Sequence, residues 1–255
     1  MTSCLYYPTI SASMPFQMAL DEILFNRAVD DHLNGRPETP LLRFYYTPEP
    51  WISLGYAYAG WKDPDAGPAA GQAAPGVPVC RRITGGGQVL HGRDLMFTLI
   101  GPKGLETSFK SVRVSYLKIH EVVKSALESL GYRPRFYRCD EDLPRGRDCF
   151  LFPIATDLEV NGKKIAGGGQ KRSLGMFMHQ ESVQLLKKDE GEALERALKE
   201  EFAKALGLRF EKADLRPEWL DQAEKLGSEK YRAASLQGDA DAVQSTAGRQ
   251  NHGRS

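Results

Sequence analysis

Apolar residues recur at helical spacing in four segments of the chain. They predict helices over 15–33, 111–130, 191–208 and 217–226. The clearest is 111–130, where a continuous apolar stripe runs along one face and Gly131 follows as a natural C-terminal stop. A helix with such a stripe buries it against a sheet or against another helix.

Between the helices, short segments rich in aromatic and apolar residues predict strands. They lie at 41–47, 51–58, 133–139 and 175–186, and several short strands fall between 79 and 101. Such strands with helices packed on them predict an α+β fold with mixed, mostly antiparallel sheets.

The segment 156–168 predicts a β-hairpin, because Asn-Gly at 161–162 stands between two apolar-rich stretches. A two-residue turn pairs the flanking residues one by one: Val160 with Lys163, Glu159 with Lys164 and Leu158 with Ile165. Lys164 and Glu159 then share one face of the hairpin. Two interpretations fit this placement, namely a surface ion pair with Glu159 or a lysine that reaches into a cleft.

Composition predicts one large domain and a short tail. A loop rich in Gly, Pro and Ala covers 60–78, and a polar loop covers 141–148. After about Ala234 the chain holds few large apolar residues. We therefore expect one catalytic-type domain over 1–233 and a disordered tail over 234–255.

The chain has 255 residues, 41% of them hydrophobic, and a net charge of +1, as is ordinary for a globular protein. This charge gives no global basic field, so we expect no nucleic-acid partner. No apolar run approaches the ~20 residues that span a bilayer, and the first residues lack a signal-peptide pattern. None of the four cysteines forms a CxxC pair. We expect a cytoplasmic protein without a membrane partner.

The segment RRITGGGQVLHG, residues 81–92, joins a pair of arginines to a run of three glycines and a histidine. It has neither the Walker nor the GxGxxG spacing of phosphate-binding loops. Either the backbone passes close to a ligand, with Arg81 or Arg82 supplying charge and His91 a hydrogen bond, or the run is a bulge. A second run at 167–169 suggests two strands closing on a thin apolar ligand such as an acyl chain; the alternative is two unrelated bulges.

Cys80 and Cys149 stand near arginines, which favour a reactive thiolate. Cys80 precedes Arg81, and Cys149 follows Arg145 and Arg147. A lone cysteine is more often buried and unreactive, and this is the alternative interpretation for each of the four cysteines. Position alone does not choose between Cys80 and Cys149.

Five segments match, in chain order, the motifs of a known family: ALDE at 19–22, LRFYYTPEPWISLGY at 42–56, RRITGGGQVLH at 81–91, NGKKIAGGGQKR at 161–172 and MHQESV at 178–183. Together they resemble the biotin/lipoate A/B protein ligase family. The resemblance covers roughly 15–185 and implies the biotin/lipoate ligase catalytic-domain fold.

The resemblance implies a narrow tunnel that holds a lipoyl or octanoyl group before its transfer to a lysine of a lipoyl domain. Lys164 matches the site lysine of the family. The other implied site residues are substrate-binding: Arg82, Gly85, Gly86, Gly87, Val89, His91, Ala166, Gly167 and His179. Among these, Ala166 and Gly167 would donate backbone N–H groups to an oxyanion. His179 would help shape the site or be an ordinary strand histidine.

Three branches of the family differ in their chemistry. An ATP-dependent ligase usually has Asp after the motif histidine, whereas Gly92 follows His91 here. An octanoyltransferase whose cysteine follows the lysine does not fit, because no cysteine lies beyond Cys149. The octanoyltransferase branch whose Cys-Phe pair precedes the lysine fits Cys149 and Phe150, ahead of Lys164.

This third branch implies that Cys149 is the nucleophile and that the cation of Lys164 lowers the pKa of its thiol. Octanoyl-acyl carrier protein would donate the acyl group. A glycine cleavage H protein or the E2 subunit of an oxo-acid dehydrogenase would accept it, without a cofactor. The alternatives are an ATP-dependent lipoate ligase, which would need ATP and Mg²⁺, and a non-catalytic partner of lipoyl domains.

Overall fold

The computed structural model describes residues 1–57, 77–137, 156–187 and 189–231. Cys149, most of the predicted loop at 60–78, the polar loop at 141–148, the expected domain end at 233 and the predicted tail lie outside the described residues.

The described residues form four helices and eleven strands. The helices are α1 Met14–Leu33, α2 Val112–Ser129, α3 Gly191–Leu206 and α4 Pro217–Lys230. The strands are β1 Thr2–Ser11, β2 Leu41–Tyr46, β3 Trp51–Leu54, β4 Val79–Arg81, β5 Gln88–His91, β6 Asp94–Pro102, β7 Arg135–Phe136, β8 Leu158–Val160, β9 Lys163–Ser173, β10 Met176–Gln184 and β11 Leu208–Lys212. All four predicted helices are confirmed.

The strands build one large and one small sheet. The large sheet has eight strands in the order β11-β1-β2-β6-β10-β9-β8-β7, and the small sheet has the order β4-β3-β5. In the large sheet only the pairs β1–β11 and β1–β2 are parallel, and in the small sheet β3 pairs parallel with β4. The predicted α+β class with mixed, mostly antiparallel sheets is therefore confirmed.

Helices cover both faces of the large sheet, so its central strands β6 and β10 are buried along almost their whole length. On one face Phe97 and Phe177 pack with α2 and α3. On the other face Met96 and Met178 pack with α1 and α4. Neighbouring residues of a strand point to opposite faces, which explains why these strands are apolar without interruption.

Two strands of the large sheet, β1 and β11, are not evident from the sequence pattern. Pro8 interrupts β1, and the register of β1 against β2 shifts between Tyr7 and Ile10. Strand β11 follows directly after Gly207, whose φ of 60° ends α3 in the left-handed conformation. The predicted helix 191–208 is therefore two residues too long.

The predicted hairpin is present, but one of its three pairs is wrong. Asn161 and Gly162 both have positive φ, as a two-residue hairpin turn requires. Leu158 pairs with Ala166 rather than with Ile165, because the register shifts at that point. Ile165 stays in the same apolar cluster as Leu158, so the extra residue adds to the core.

Glycines allow close backbone contacts at the end of the small sheet and between the small sheet and the large one. A Cβ on Gly55 would lie 1.9 Å from the carbonyl oxygen of Gly86, and a Cβ on Gly169 would lie 2.7 Å from that of Gly85. The amide of Gly85 also donates to the carbonyl of Gln170. The two glycine runs thus meet, and backbone contacts backbone where a side chain has no room.

We expect Gly55→Ala to destabilise the protein by about 1–3 kcal/mol, because the added methyl group overlaps the Gly86 carbonyl. Gly85→Ala is the matched control, since a Cβ there meets nothing within 4 Å. Urea denaturation of both variants measures the difference. Equal free energies of unfolding for the two variants would contradict the close packing at Gly55.

Candidate active site

A pocket of about 470 Å³, its open mouth included, lies between the small sheet and the α1-facing side of the large sheet. Its lining residues come from α1, both sheets, the segment before the first glycine run and the second glycine run: Met18, Tyr45, Ser53, Arg82, Val89, His91, Met96, Lys164, Gly167, Gly168, Gly169, Gln180, Glu181 and Ser182. Met18, Met96 and Val89 give the pocket an apolar part. Its acidic and basic side chains are Arg82, His91, Lys164 and Glu181.

Lys164 reaches this pocket, as the cleft interpretation of the hairpin predicts. Its Nζ lies 2.7 Å from Oδ2 of Asp157, and both side chains are only 5% exposed. The Lys164 chain crosses Gly167, where a Cβ would lie 2.6 Å from Nζ. The predicted surface pair with Glu159 is wrong, because the buried Asp157 holds the ammonium group instead.

His91 and Arg82 line the pocket and share a partner, Ser53. Nε2 of His91 lies 2.8 Å from the Ser53 hydroxyl, and Nη1 of Arg82 donates to the same oxygen at 3.0 Å. On its other side, His91 Nδ1 lies 2.6 Å from Oδ2 of Asp94. Four buried polar side chains therefore form one connected network, and three of them, Ser53, Arg82 and His91, form a wall of the pocket.

Asp94 is fully buried but remains ionised. Burial opposes its ionisation, yet the neighbouring His91 and hydrogen bonds from the Ser182 hydroxyl and the Gly92 amide lower its pKa below the usual value. These bonds measure 2.6 Å from Ser182 and 2.9 Å from Gly92. Asp94 is thus an anion that orients His91.

The two glycine runs have different positions relative to the pocket. Gly167, Gly168 and Gly169 line it, whereas Gly85, Gly86 and Gly87 are not among the lining residues. The first run acts on the wall through Arg82, whose Nη2 donates to the Gly85 carbonyl at 2.9 Å. Ala166 is fully buried in the core cluster of the α2-facing side. An oxyanion role for Ala166 or Gly167 stays a prediction.

His179 lies behind the pocket, on the α2-facing side of the sheet. Its Nε2 lies 2.7 Å from Oε2 of Glu181, and Nε2 of His120 lies 3.0 Å from the same oxygen. A Cβ on Gly168 would lie 2.4 Å from this carboxylate oxygen. The cluster therefore packs against the back of strand β9, whose other face lines the pocket.

His120, His179 and Glu181 have the composition of a metal site, with ligand atoms within 4.8 Å of one another. The hydrogen bonds of the cluster, however, place protons on the nitrogens that a metal ion would need unprotonated. Arg172 donates to Oε1 of Gln170, so the Gln170 amide nitrogen faces His179 Nδ1 and donates to it. The proton of His179 is then on Nε2 and points at Glu181, where a metal ligand would carry a lone pair.

His120 carries the positive charge of this cluster. Its Nδ1 donates to the Thr156 carbonyl and its Nε2 to Glu181, which requires a proton on both nitrogens. Burial lowers its pKa, but the Glu181 charge outweighs burial and raises the pKa above the usual value. Burial likewise opposes ionisation of Glu181, yet the His120 charge lowers its pKa to about 2. Burial lowers the pKa of His179.

The described cysteines, Cys4 and Cys80, do not fit a nucleophile. Both are buried, and burial raises the pKa of each thiol to about 12. Both thiols are therefore protonated at neutral pH and belong to the apolar core. Cys149 lies outside the described residues, so its role as nucleophile stays a prediction.

Ser53, Asp94 and Asp157 are site residues that the sequence did not single out. Ser53 stands inside an apolar strand, and its partners come from other strands. Asp94 follows His91 by three residues, a spacing that could have indicated a partner for the histidine.

In the described part of the chain, none of the helices has the length and hydropathy that a membrane span needs.

A family model and the sequences of known proteins point to the same family for this chain. Residues 13–206 match the family described as "Lipoyl protein ligase A/B catalytic domain". The octanoyltransferase LipM of Kyrpidia tusciae is 30% identical, over 82% of this chain and 92% of that relative. The octanoyltransferase LipM of Carboxydothermus hydrogenoformans is 32% identical, over 68% of this chain and 61% of that relative.

Solved structures share the fold. A lipoate-protein ligase A bound with ATP superposes with a TM-score of 0.67 at 19% identity, covering 92% of this chain and 98% of that chain. A putative lipoate protein ligase from T. acidophilum with bound lipoic acid has a TM-score of 0.66 at 17% identity, covering 92% and 99%. At such identities the likeness concerns the fold alone.

The raised pKa of His120 predicts a loss of stability in alkaline solution. A histidine whose folded pKa is raised stabilises the fold fully below its unfolded pKa and loses this contribution as pH rises through the folded pKa. As pH rises from about 6.5, the ordinary histidine pKa, through the raised folded pKa of His120, we expect the free energy of unfolding to fall, and to fall less in His120→Asn. Urea denaturation across this range measures both slopes.

Ser228→Ala, at an exposed helix serine, removes no group that titrates in this range, so it is the control and should keep the wild-type slope. Identical slopes for wild type and His120→Asn would contradict the assignment of the charge to His120. Glu181 acts at the other end of the scale, because its contribution is present above its unfolded pKa and is lost as pH falls through about 2.

Proposed function

The chain belongs to the lipoyl protein ligase A/B catalytic domain family, and we propose that it is an octanoyltransferase of protein lipoylation. The enzyme takes an octanoyl group from a carrier thioester and passes it, through a thioester on Cys149, to a lysine of a lipoyl domain. The observation that carries this proposal is the buried ammonium group of Lys164 at a partly apolar pocket. The relatives named octanoyltransferase LipM support the same reaction.

Lys164 has the properties that such a reaction needs. A cation beside a thiol favours the thiolate, which is the nucleophilic form of cysteine. Asp157 holds the ammonium group in place and limits its motion, since both side chains are almost fully buried. The protein thus places a fixed positive charge at the pocket before any substrate binds.

The pocket fits a thin, apolar acyl chain. Met18, Val89 and Met96 supply apolar lining, while Gly167–Gly169 line the pocket without side chains. Methionine side chains are flexible and fill irregular gaps, so they adapt to an unbranched chain. Arg82 and His91 provide the polar end of the pocket, where the carbonyl group of the substrate would lie.

The transfer proceeds in two balanced steps. The thiolate of Cys149 attacks the thioester carbon of octanoyl-acyl carrier protein; a new C–S bond forms, the old one breaks, and the carrier thiol leaves with a proton. The amine of the acceptor lysine then attacks the Cys149 thioester, forms an amide and releases Cys149. A thioester already carries an activated acyl group, so neither step consumes ATP and no cofactor takes part.

The acceptors in this proposal are lipoyl-domain proteins, either a glycine cleavage H protein or an oxo-acid dehydrogenase subunit. A structural analysis of an archaeal lipoylation system describes a bipartite lipoate protein ligase and its E2 lipoyl domain, and that structure has a TM-score of 0.61 and 17% identity to this chain. A protein of the same fold has thus been studied with such an acceptor. An ATP-dependent ligase is the second candidate, because the solved structures of this fold include a ligase bound with ATP.

We expect intact-protein mass spectrometry to find one octanoyl group on the wild type after incubation with octanoyl-acyl carrier protein without ATP. Hydroxylamine should remove the adduct, as it cleaves thioesters. Cys149→Ala should lose the adduct, and Lys164→Met should form it at least about a hundredfold more slowly, because a neutral side chain no longer stabilises the thiolate.

Cys80→Ala is the matched control, since Cys80 is buried and protonated, and it should load like the wild type. An unloaded wild type that modifies a lipoyl domain only with lipoate and ATP would establish the ligase instead. A wild type that binds lipoyl domains but modifies none under either condition would leave only a binding role.

A further inference from the structure

Ser53, His91 and Asp94 have the order and the spacing of a nucleophile, a general base and an orienting carboxylate. The Ser53 oxygen lies 2.8 Å from Nε2 of His91, and Nδ1 of His91 lies 2.6 Å from Oδ2 of Asp94. Both distances are within the range found between members of serine-dependent catalytic triads. The Cys149 mechanism uses none of these three groups as a nucleophile or a base.

The hydrogen-bond partners place the protons where such a triad needs them. Asp94 is ionised and can only accept, so a proton of His91 lies on Nδ1 and points at Asp94. Arg82 can only donate, so its Nη1 gives a hydrogen bond to the Ser53 oxygen. In the tautomer with Nε2 unprotonated, the Ser53 hydroxyl donates to Nε2 at 2.8 Å, which is the direction of proton transfer in nucleophilic attack.

The triad faces the acyl pocket. Strands β3 and β5 pair Ser53 with Val89 and Trp51 with His91, so these side chains share one face of the small sheet. Ser53, Val89 and His91 all line the pocket. Arg82 adds a positive charge beside the serine oxygen, and a cation there stabilises a developing alkoxide.

We propose that Ser53, His91 and Asp94 form a second catalytic centre, which hydrolyses medium-chain acyl thioesters and esters whose chain occupies the pocket. Ser53 is its nucleophile, His91 its general base and acid, and Asp94 its positioning residue. This activity would release the acyl group as a free acid instead of transferring it to a protein lysine.

The reaction balances with water as its sole co-substrate. Ser53 attacks the acyl carbon, an O–C bond forms, and its proton moves to His91 Nε2. The C–S or C–O bond of the substrate breaks, and His91 gives the proton to the leaving group. Water then attacks the acyl-serine with His91 as base, the acid departs, and the proton returns to Ser53.

This inference rests on the proposed function only for the acyl group that fills the pocket. The two activities use different nucleophiles, so each can fail alone. Loss of Cys149 removes transfer and leaves hydrolysis, whereas loss of Ser53 removes hydrolysis. The test is therefore made in Cys149→Ala, where no thiol nucleophile competes.

An octyl fluorophosphonate, which phosphonylates activated serines, is incubated with full-length Cys149→Ala, and the adduct is mapped by peptide mass spectrometry. We expect one adduct, on Ser53, and release of 4-nitrophenol from 4-nitrophenyl octanoate by the same variant. His91→Asn in this background should lower both rates about a hundredfold or more, the usual contribution of a general base. Ser228→Ala, at an exposed helix serine, is the control and should leave both rates unchanged.

Mapping the adduct in Cys149→Ala does not depend on the folding of any Ser53 variant. The absence of an adduct on Ser53 would overturn the proposal, as would an adduct elsewhere or hydrolysis that survives in Cys149→Ala/Ser53→Ala. None of these results bears on octanoyl loading of Cys149, so failure of this centre and failure of the transferase are distinguishable.

Discussion

The buried carboxylate of Asp21 ties helix α1 to the three central strands of the large sheet. Its Oδ1 accepts from Arg43 at 2.6 Å, while Oδ2 accepts from Thr98 at 2.7 Å and from Gln180 at 2.6 Å. A buried ion pair destabilises a fold unless hydrogen bonds satisfy it, and these bonds do so. The amide oxygen of Gln180 accepts a hydrogen bond from the Thr84 hydroxyl at 2.7 Å, and Thr84 directly precedes the first glycine run. The position of the small sheet, and with it the pocket, therefore depends on a carboxylate in the core.

The pocket owes its narrow shape to backbone contacts and its chemistry to few side chains. Gly169 of the large sheet and Gly85 beside the small sheet let backbone contact backbone, and Gly55 and Gly86 do the same at the end of the small sheet. Lys164 then lines the pocket from the large sheet, and Arg82 lines it from beside the small sheet. Because the sheets come from distant parts of the sequence, a shift of one sheet against the other would separate the two groups of charges. The glycines thus fix the distance between chemical functions as well as the width of the acyl site.

Local patterns in the sequence carried most of the fold and part of the site. Helical periodicity and the Asn161-Gly162 turn predicted elements correctly because these signals lie within a few residues. Strands β1 and β11 escaped prediction because their parallel pairing joins the two ends of the described chain and leaves no turn signal. The site followed the same rule: Lys164 and His91 stand in recognisable motifs, whereas Ser53 is an ordinary residue of an apolar strand until β5 brings His91 beside it.

The position of β1 has a consequence for the order in which the chain folds. Thr2 pairs with Leu208, and Leu5 pairs with Leu41, so during synthesis β1 has to wait for its neighbour β11 until almost all described residues have emerged. Contacts so distant in sequence slow folding, because the loop between them must be closed before they form. Until then an open strand edge remains exposed, and such edges pair readily with other chains. Synthesis of this protein therefore passes through an interval in which aggregation competes with closure of the sheet.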